Sequence, residues 1–206
     1  EWTKEIHTIE DCKKGQVSGV ELKGLTATNL IKNGDFRNGI ENYIFEYFNY
    51  EFNNNKLTLT TTNDGFAPKM SQKIFLQENH KYFIRIKGKK ISGNTTRLII
   101  TTDTWAFDQY SYKIPDSNIF NFYGLVTSKV TANSYVRVFR TYDAGIGDVF
   151  EIYNIIMLDL TELGLEDKTA DEINEMFPYY FEGTKSTVSA MRLKSVSADE
   201  TETSTA

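Results

Sequence analysis

The chain is organised around the stretch Asn29-Leu30-Ile31-Lys32-Asn33-Gly34-Asp35-Phe36. It joins a short apolar pair to an Asn-Gly-Asp turn, and one large aromatic residue follows the turn. Asn and Gly are the residues that most readily take the positive φ angles of tight turns. The stretch therefore predicts the start of a β-sandwich, with a strand end, a tight turn and Phe36 anchored in the core.

Downstream of Phe36, short apolar–polar alternations are separated by turn residues at roughly ten-residue spacing up to about residue 160. In residues 82–87 the alternation directs Tyr82, Ile84 and Ile86 inward and the charged residues outward. The aromatic segment 43–52 changes phase after Tyr47, which predicts a bulge or turn there. Seven to nine such strands are typical of an all-β sandwich of the jelly-roll type.

One helix interrupts this pattern near the C-terminal end. Thr169 and Glu172 have the residue types and spacing of a capping box, in which each side chain bonds the backbone N–H of the other residue. Pro178 cannot continue a helix. The sequence predicts one short helix over residues 169–177, held by packing against the sandwich because so short a helix is marginal alone.

The two ends of the chain differ in composition from the middle. We predict an N-terminal connector over residues 1–24, the sandwich with its helix over residues 25–183, and a Ser/Thr-rich linker over residues 184–206. The chain begins with Glu1 rather than Met, so we expect a piece of a longer polypeptide.

Composition excludes several classes of function. The formal net charge is −5 and the basic residues are scattered, which argues against a nucleic-acid partner. The single cysteine, Cys12, cannot form a disulfide within the chain. No apolar run is long enough to span a bilayer, so we expect a soluble chain with no membrane insertion.

Catalytic patterns are missing from the sequence. The two histidines, His7 and His80, stand in no recognisable catalytic frame, and we interpret both as solvated surface residues. There is no zinc-type cluster of Cys and His, no P-loop and no dinucleotide fingerprint. We predict that the chain is not an enzyme; a glycoside hydrolase with two converging carboxylates stays open as an alternative.

Calcium is the other chemical possibility that the residues leave open. Hard oxygen ligands lie close together at Asn33, Asp35 and Asn38, and again in the loop from Asp143 to Asp148. The competing interpretation is that these residues were selected for tight turns. The prediction for cofactors is therefore none, with calcium as the alternative.

The strongest functional signal is a segment of aromatic residues mixed with polar ones, residues 104–112. It is too rich in Thr, Asp, Gln and Ser to be wholly core, so some rings should face solvent. Flat aromatic surfaces stack on pyranose rings, while amides and carboxylates fix the hydroxyl groups. The predicted ligand-binding residues are Trp105, Asp108, Gln109, Tyr110, Tyr112, Arg140 and Tyr142. The alternative is that these rings fill the sandwich.

Three motifs carry a family resemblance: residues 26–36, residues 147–161 and residues 177–184. Together they resemble a domain of bacteriophage and prophage tail or tail-fibre proteins, which is similar to the jelly-roll carbohydrate-binding modules attached to glycoside hydrolases. Those modules often have an acidic calcium ligand after the Phe of the first motif, where this chain has Arg37, and often an Asp at the position of Asn154. Tyr43 stands where a Trp is common.

The resemblance implies a location in the virion tail, made in the host cytoplasm and extracellular when it functions. It also implies that the chain holds a bacterial surface glycan, that its partners include other tail subunits, and that the full-length protein is a candidate trimer. Our prediction is a non-catalytic glycan-binding module for host attachment. The rival prediction is a structural spacer or assembly module that binds no sugar.

Overall fold

The computed structural model describes residues 6–8, 19–53, 56–65, 67–103, 105–115 and 117–194, with side chains described from 26 to 183. Cys12 lies outside these residues, as does the side chain of His7. The elements in the described residues are β1 (Ile6–Thr8), β2 (Gly19–Thr28), β3 (Tyr43–Glu46), β4 (Phe48–Asn53), β5 (Lys56–Thr61), β6 (Lys69–Leu76), β7 (Lys81–Ser92), β8 (Arg97–Thr102), β9 (Tyr110–Lys113), β10 (Ile119–Thr127), β11 (Ala132–Thr141), β12 (Val149–Asp159), α1 (Ala170–Met176) and β13 (Thr184–Lys194).

The chain divides into two compact units. The first comprises residues 1–26 and 186–206, and the second comprises residues 27–185. A three-stranded sheet has the order β1-β2-β13. The predicted connector thus contributes β1 and most of β2, and the predicted linker contributes β13. The assignment of these ends to separate domains stays a prediction.

The second unit is a β-sandwich of two antiparallel five-stranded sheets, as the alternation predicted. Sheet 1 has the order β10-β7-β12-β5-β4, and sheet 2 has the order β3-β6-β11-β8-β9. The chain passes from sheet 2 to sheet 1 at Tyr47, which separates β3 from β4 and has φ +57°. The change of phase in the aromatic segment therefore marks a change of sheet.

The core fills the space between the two sheets. Phe139 of β11 contacts three phenylalanines of sheet 1: its ring centroid lies 5.9 Å from Phe48, 6.2 Å from Phe120 and 5.2 Å from Phe150. Burial of such rings removes apolar surface from water, and this is the main favourable contribution to folding. The prediction that Tyr82, Ile84 and Ile86 face inward is confirmed, since all three are buried.

The opening stretch holds the position that the sequence predicted. Phe36 is fully buried, and φ is positive at Asn33 (+54°) and at Phe36 itself (+61°). The buried Asn29 side chain accepts from the N–H of Met157 at 2.9 Å and donates to the carbonyl of Phe181 at 3.0 Å. One amide thus connects the three motifs that carry the family resemblance.

The capping box and the short helix are confirmed. The Thr169 hydroxyl accepts from the backbone N–H of Glu172, and the Glu172 carboxylate accepts from the N–H of Thr169. α1 packs on the outer side of sheet 1 through the buried residues Ile173 and Phe177.

Arg85 points away from the sandwich core, as the alternation predicted, and it is nevertheless fully buried. Its Nη1 donates to Asn174 at 3.2 Å and to the carbonyl of Phe177, so the region of α1 covers it. Alternation identifies the side of a sheet, but it does not indicate what packs on that side.

Candidate functional site

Tyr110 and Tyr112, two of the predicted binding residues, lie between the sheets. Both are inward positions of the edge strand β9 and stack on Phe122 of β10, at centroid distances of 5.5 and 4.9 Å. The ring of Tyr110 also lies directly over Gly124, where a Cβ atom would collide with it. The two rings thus close one edge of the sandwich.

Asp108, Gln109 and Tyr110 line a cavity of about 520 Å³ at this edge. Its other walls are residues 78–79 and residues 125–129. The Asp108 carboxylate pairs with Lys129 Nζ at 2.5 Å. The cavity therefore offers amide, carboxylate and ammonium groups, with part of the Tyr110 ring as its aromatic surface.

Trp105 is exposed in the loop between β8 and β9, with 64% of its surface accessible. Its φ is +54°, a strained conformation for a bulky residue. The next residues, Ala106 and Phe107, are buried, and the Ala106 N–H donates to the Thr102 hydroxyl at 2.7 Å. A buried anchor thus holds a strained loop that presents Trp105 to solvent.

Arg140 and Tyr142 lie elsewhere, on the side of sheet 2 that points away from the core. We call this side the outer face; it comprises the outward side chains of β3, β6, β11, β8 and β9. The Tyr142 N–H bonds the Arg97 carbonyl at 3.0 Å, so Tyr142 continues the face beyond β11. The seven predicted residues are therefore divided between the sandwich edge, the Trp105 loop and the outer face.

Strand register shows which side chains of the outer face are neighbours. One row across the sheet is Glu46, Lys69, Arg140, Ile99 and Ser111, on β3, β6, β11, β8 and β9 in turn. The next row is Ile44, Ser71, Arg137 and Thr101. A β-bulge between Arg137 and Arg140 keeps both of these arginines on this side of β11.

The centre of the outer face consists of buried and half-buried residues. Ser71, Ile99 and Thr101 are buried. Arg137 and Arg140 are half-buried beside them, and Arg137 Nη1 donates to the Thr102 carbonyl at 3.0 Å. Burial, and then the nearby charge of Arg137, lower the pKa of Arg140, while Glu46 opposes this shift.

Exposed aromatic residues flank this polar centre. Tyr135 and Phe75 keep 37% and 55% of their surface accessible, and Tyr142 keeps 38%. Sequence reasoning missed Tyr135, Phe75 and Arg137 as site residues. The alternation of residues 135–140 does place Tyr135 and Arg137 on one side of β11, but it does not reveal that β6 and β8 flank them.

The residues of the proposed calcium loop do not fit a cation. The Asp148 carboxylate accepts hydrogen bonds from the Thr95 hydroxyl at 2.5 Å and from the N–H groups of Thr95, Asn94 and Gly145 at 2.9, 3.1 and 3.1 Å. The Asp143 carboxylate accepts from the N–H and from the hydroxyl group of Thr96. These donors carry partial positive charge and occupy the positions that a metal ion would take. Both carboxylates therefore hold their loops in place through hydrogen bonds.

The opening turn fits calcium no better. Asn33 Oδ1 accepts from the N–H of Asn38 at 3.0 Å, and Asp35 forms an ion pair with Arg37 at 2.5 Å. The basic residue that interrupts the family's calcium pattern thus binds the nearest carboxylate. These oxygen atoms are thus engaged in contacts within the turn.

His80 is not simply solvated, contrary to our interpretation of the sequence. Its Nδ1 lies 2.8 Å from Asp159 Oδ2, and Asp159 Oδ1 accepts from the N–H groups of Thr161 and Glu162 at 3.0 and 3.1 Å. Glu162 lies close enough to complete a three-residue group. This group joins the turn before β7 to the turn after β12.

No protein-family model matches the chain, and neither does any curated protein. Among solved structures, the carbohydrate-binding module TmCBM61 in complex with β-1,4-galactotriose is similar, with 12% identity, 64% of this chain and 98% of that chain covered, and a TM-score of 0.47. The second N-terminal cellulose-binding domain of Cellulomonas fimi β-1,4-glucanase C has 11% identity, 65% and 95% coverage, and a TM-score of 0.48.

The enzymatically active domain of bacteriophage CBA120 tailspike protein 4 is also similar. It has 15% identity, 64% of this chain and 21% of that chain covered, and a TM-score of 0.45. Several of the similar structures are thus carbohydrate-binding modules, and all three TM-scores lie below 0.5. Among the described residues, no helix is long and apolar enough to cross a membrane.

Proposed function

We propose that this chain is a non-catalytic glycan-binding module whose sugar lies on the outer face of sheet 2. The observation that carries the proposal is the pair of half-buried arginines on that face, Arg137 and Arg140, with the exposed aromatic side chains of Tyr135, Tyr142 and Phe75 beside them.

The chemistry of this face suits a sugar. The rings of Tyr135 and Tyr142 offer flat apolar surfaces for the C–H faces of pyranose residues. The guanidinium groups of Arg137 and Arg140 donate several hydrogen bonds in a fixed plane. Trp105, exposed in the loop that follows β8, is proposed as a further aromatic platform.

The module is proposed to act in a phage or phage-like tail, where it attaches the particle to carbohydrate of the host surface. What supports this location is the resemblance of the three motifs, joined by Asn29, to phage tail domains. Several copies on one fibre would raise the net affinity by effective concentration, even if each site is weak. The proposal needs no metal and no catalytic residue.

A glycan array followed by pull-down on bacterial cell walls tests the proposal. We expect selective retention of the purified chain, weakened about fivefold or more by Tyr142→Ala and by Trp105→Ala, since a lost stacking contact is worth about 1 kcal/mol. Tyr179→Ala is the matched control, because Tyr179 is 75% exposed and follows α1, on the sheet 1 side.

Two results would contradict the proposal. If neither Trp105→Ala nor Tyr142→Ala changes binding to a retained glycan, the site is wrong. If no glycan is retained and the chain instead self-associates in light scattering through Phe75 and Ile44, the rival assembly module is the better account. A turnover assay on purified cell wall tests the hydrolase alternative, and we expect no product.

A further inference from the structure

Basic side chains are concentrated on the outer face of sheet 2. Four adjacent strands contribute them: β6, β11, β8 and β9. The residues are Lys69, Lys73, Arg97, Arg137, Arg140 and Lys113. The whole chain has a formal net charge of −5, so this face has the opposite sign to the rest of the protein.

Few acidic groups balance these charges among the described residues of the face. Glu46, on the edge strand β3, forms an ion pair with Lys69 at 2.9 Å. Asp103, at the end of β8, accepts from the N–H of Tyr135 at 3.0 Å. Asp143, which follows β11, accepts from the N–H of Arg97 at 3.2 Å. All three lie at margins of the face, whereas Arg137 and Arg140 give its centre a positive charge.

We propose that the outer face binds an acidic polysaccharide, one whose repeating units carry carboxylate or phosphate groups. This inference rests on the proposed function and names the class of glycan. A guanidinium group binds carboxylate or phosphate oxygens through two parallel hydrogen bonds, so Arg137 and Arg140 select for oxyanions as well as for sugar hydroxyls.

The extent of the basic surface favours a polymer over a single anion. Strands lie about 4.8 Å apart, so the basic residues from β6 to β9 span about 14 Å across the sheet. A free phosphate ion would use one or two of them. A single polysaccharide chain running diagonally across the strands would pass Lys73, Arg137, Arg97 and Lys113 in turn.

The same surface does not favour nucleic acid. Proteins that bind nucleic acid usually carry a net positive charge, whereas this chain is acidic overall, with a pI near 5.2. A bulky duplex would meet the acidic remainder of the protein. A slim saccharide chain, in contrast, meets mainly the face.

Affinity electrophoresis of the full chain tests the inference with four probes. These are polygalacturonate, its carboxyl-reduced neutral form, poly(glycerol phosphate), and a double-stranded DNA oligonucleotide. We expect the chain to bind polygalacturonate or poly(glycerol phosphate) at least tenfold more tightly than the neutral polymer, with affinity falling as salt rises. The first and third probes distinguish carboxylate from phosphate.

The variant Arg137→Gln/Arg140→Gln should weaken binding to the acidic probe about tenfold or more, since charge-assisted hydrogen bonds contribute strongly. Lys56→Gln/Lys168→Gln is the matched control: it removes the same charge from exposed sites on other elements and should change affinity less than twofold. Arg137→Lys/Arg140→Lys keeps the charge and should retain part of the binding. Thermal melting checks that all three fold.

The possible failures are distinguishable. Equal binding of the neutral and acidic polymers, abolished by Tyr142→Ala, would overturn the acidic-glycan inference and keep the proposed function. Binding of DNA as tight as binding of the polysaccharides would overturn it as well, because the face would then be a general polyanion surface. Absence of binding to any polymer, with no glycan found on the array, would overturn both proposals.

Discussion

The guanidinium carbon of Arg97 lies 5.6 Å from the centroid of the Tyr142 ring, so a basic residue of β8 packs over an aromatic residue that follows β11. Such a contact contributes about 0.5–1 kcal/mol at an exposed site. It also fixes the position of the ring at one end of the outer face. Packing of this kind makes an exposed aromatic side chain a rigid platform.

Arg97→Ala should therefore weaken glycan binding about three- to fivefold, because it removes a basic group and frees the Tyr142 ring. Arg97→Lys should lose less, since it keeps the charge. Affinity electrophoresis with the glycan found in the array screen measures both variants, and Tyr179→Ala again serves as the control. Arg97→Ala that binds like the wild type would show that this contact has no role in recognition.

Asp148 should make the stability of the sandwich depend on pH. Burial raises the pKa of its carboxyl group. Hydrogen bonds from the Thr95 hydroxyl and from three backbone N–H groups together lower the pKa by more than burial raises it, so the pKa lies below its ordinary value. A carboxyl group with a lowered pKa contributes stability above its unfolded-state pKa, near 4, and this contribution is lost as the pH falls.

We expect Asp148→Asn to reduce the free energy of unfolding by about 2 kcal/mol at pH 7. The difference from the wild type should shrink as the pH falls below about 4, because the wild-type carboxylate is then protonated as well. Urea unfolding at pH 7 and at pH 3 measures this. Asp64→Asn, in an exposed turn, is the control. If Asp148→Asn reduces the free energy of unfolding equally at both pH values, the Asp148 carboxylate does not stabilise the loop through its charge.

The close approach of Gly34 to β12 gives a prediction on the opening turn. The Gly34 carbonyl accepts from the N–H of Ile155 at 2.9 Å, and a Cβ atom at Gly34 would collide with the Ile155 carbonyl and the Tyr180 ring. Gly34→Ala should cost about 2–3 kcal/mol, since the backbone must shift to accommodate it.

Gly39 in the same region is the matched comparison. Its φ is +68° and a Cβ atom would have open space, so Gly39→Ala should cost only the conformational penalty of about 1 kcal/mol. Urea unfolding of both variants measures the difference. Equal costs would mean that contact with β12 does not restrict Gly34.

Arg85 gives a prediction for the contact between α1 and sheet 1. Burial lowers its pKa to about 10, and its Nε and Nη2 atoms are buried without a hydrogen-bond partner. Arg85→Met keeps most of the volume and removes the buried charge, so we expect a change within about 1 kcal/mol. Arg85→Ala leaves a cavity under α1 and should cost about 3 kcal/mol. Equal losses in thermal unfolding would show that the hydrogen bonds to Asn174 and Phe177 dominate.

Much of the fold could be predicted because its signals are local. The turn at Asn33, the anchor Phe36 and the capping box at Thr169 each depend on a few adjacent residues. The inward positions of β7 follow from simple alternation. Each of these features can be recognised from its own short stretch of sequence.

The site was harder to predict because it depends on sheet order. Arg137 lies beside Ser71 and Thr101 only because β6 and β8 flank β11, and no local pattern encodes that order. Tyr110 and Tyr112 resembled exposed platforms in composition, but the neighbouring strand β10 places Phe122 against them. The outward direction of Arg85 was predicted, but its burial was not, because the helix that covers it is distant in sequence.

The central claim is that a glycan lies across the outer face of sheet 2. Mapping of backbone amide chemical shifts by NMR, during titration with the glycan that the array identifies, tests this claim most directly. The account predicts that the perturbed amides cluster at Ser71, Thr101 and Arg137 and extend to Tyr142. Perturbations confined to residues 108–110 and 125–129 would place the sugar in the edge cavity and contradict it.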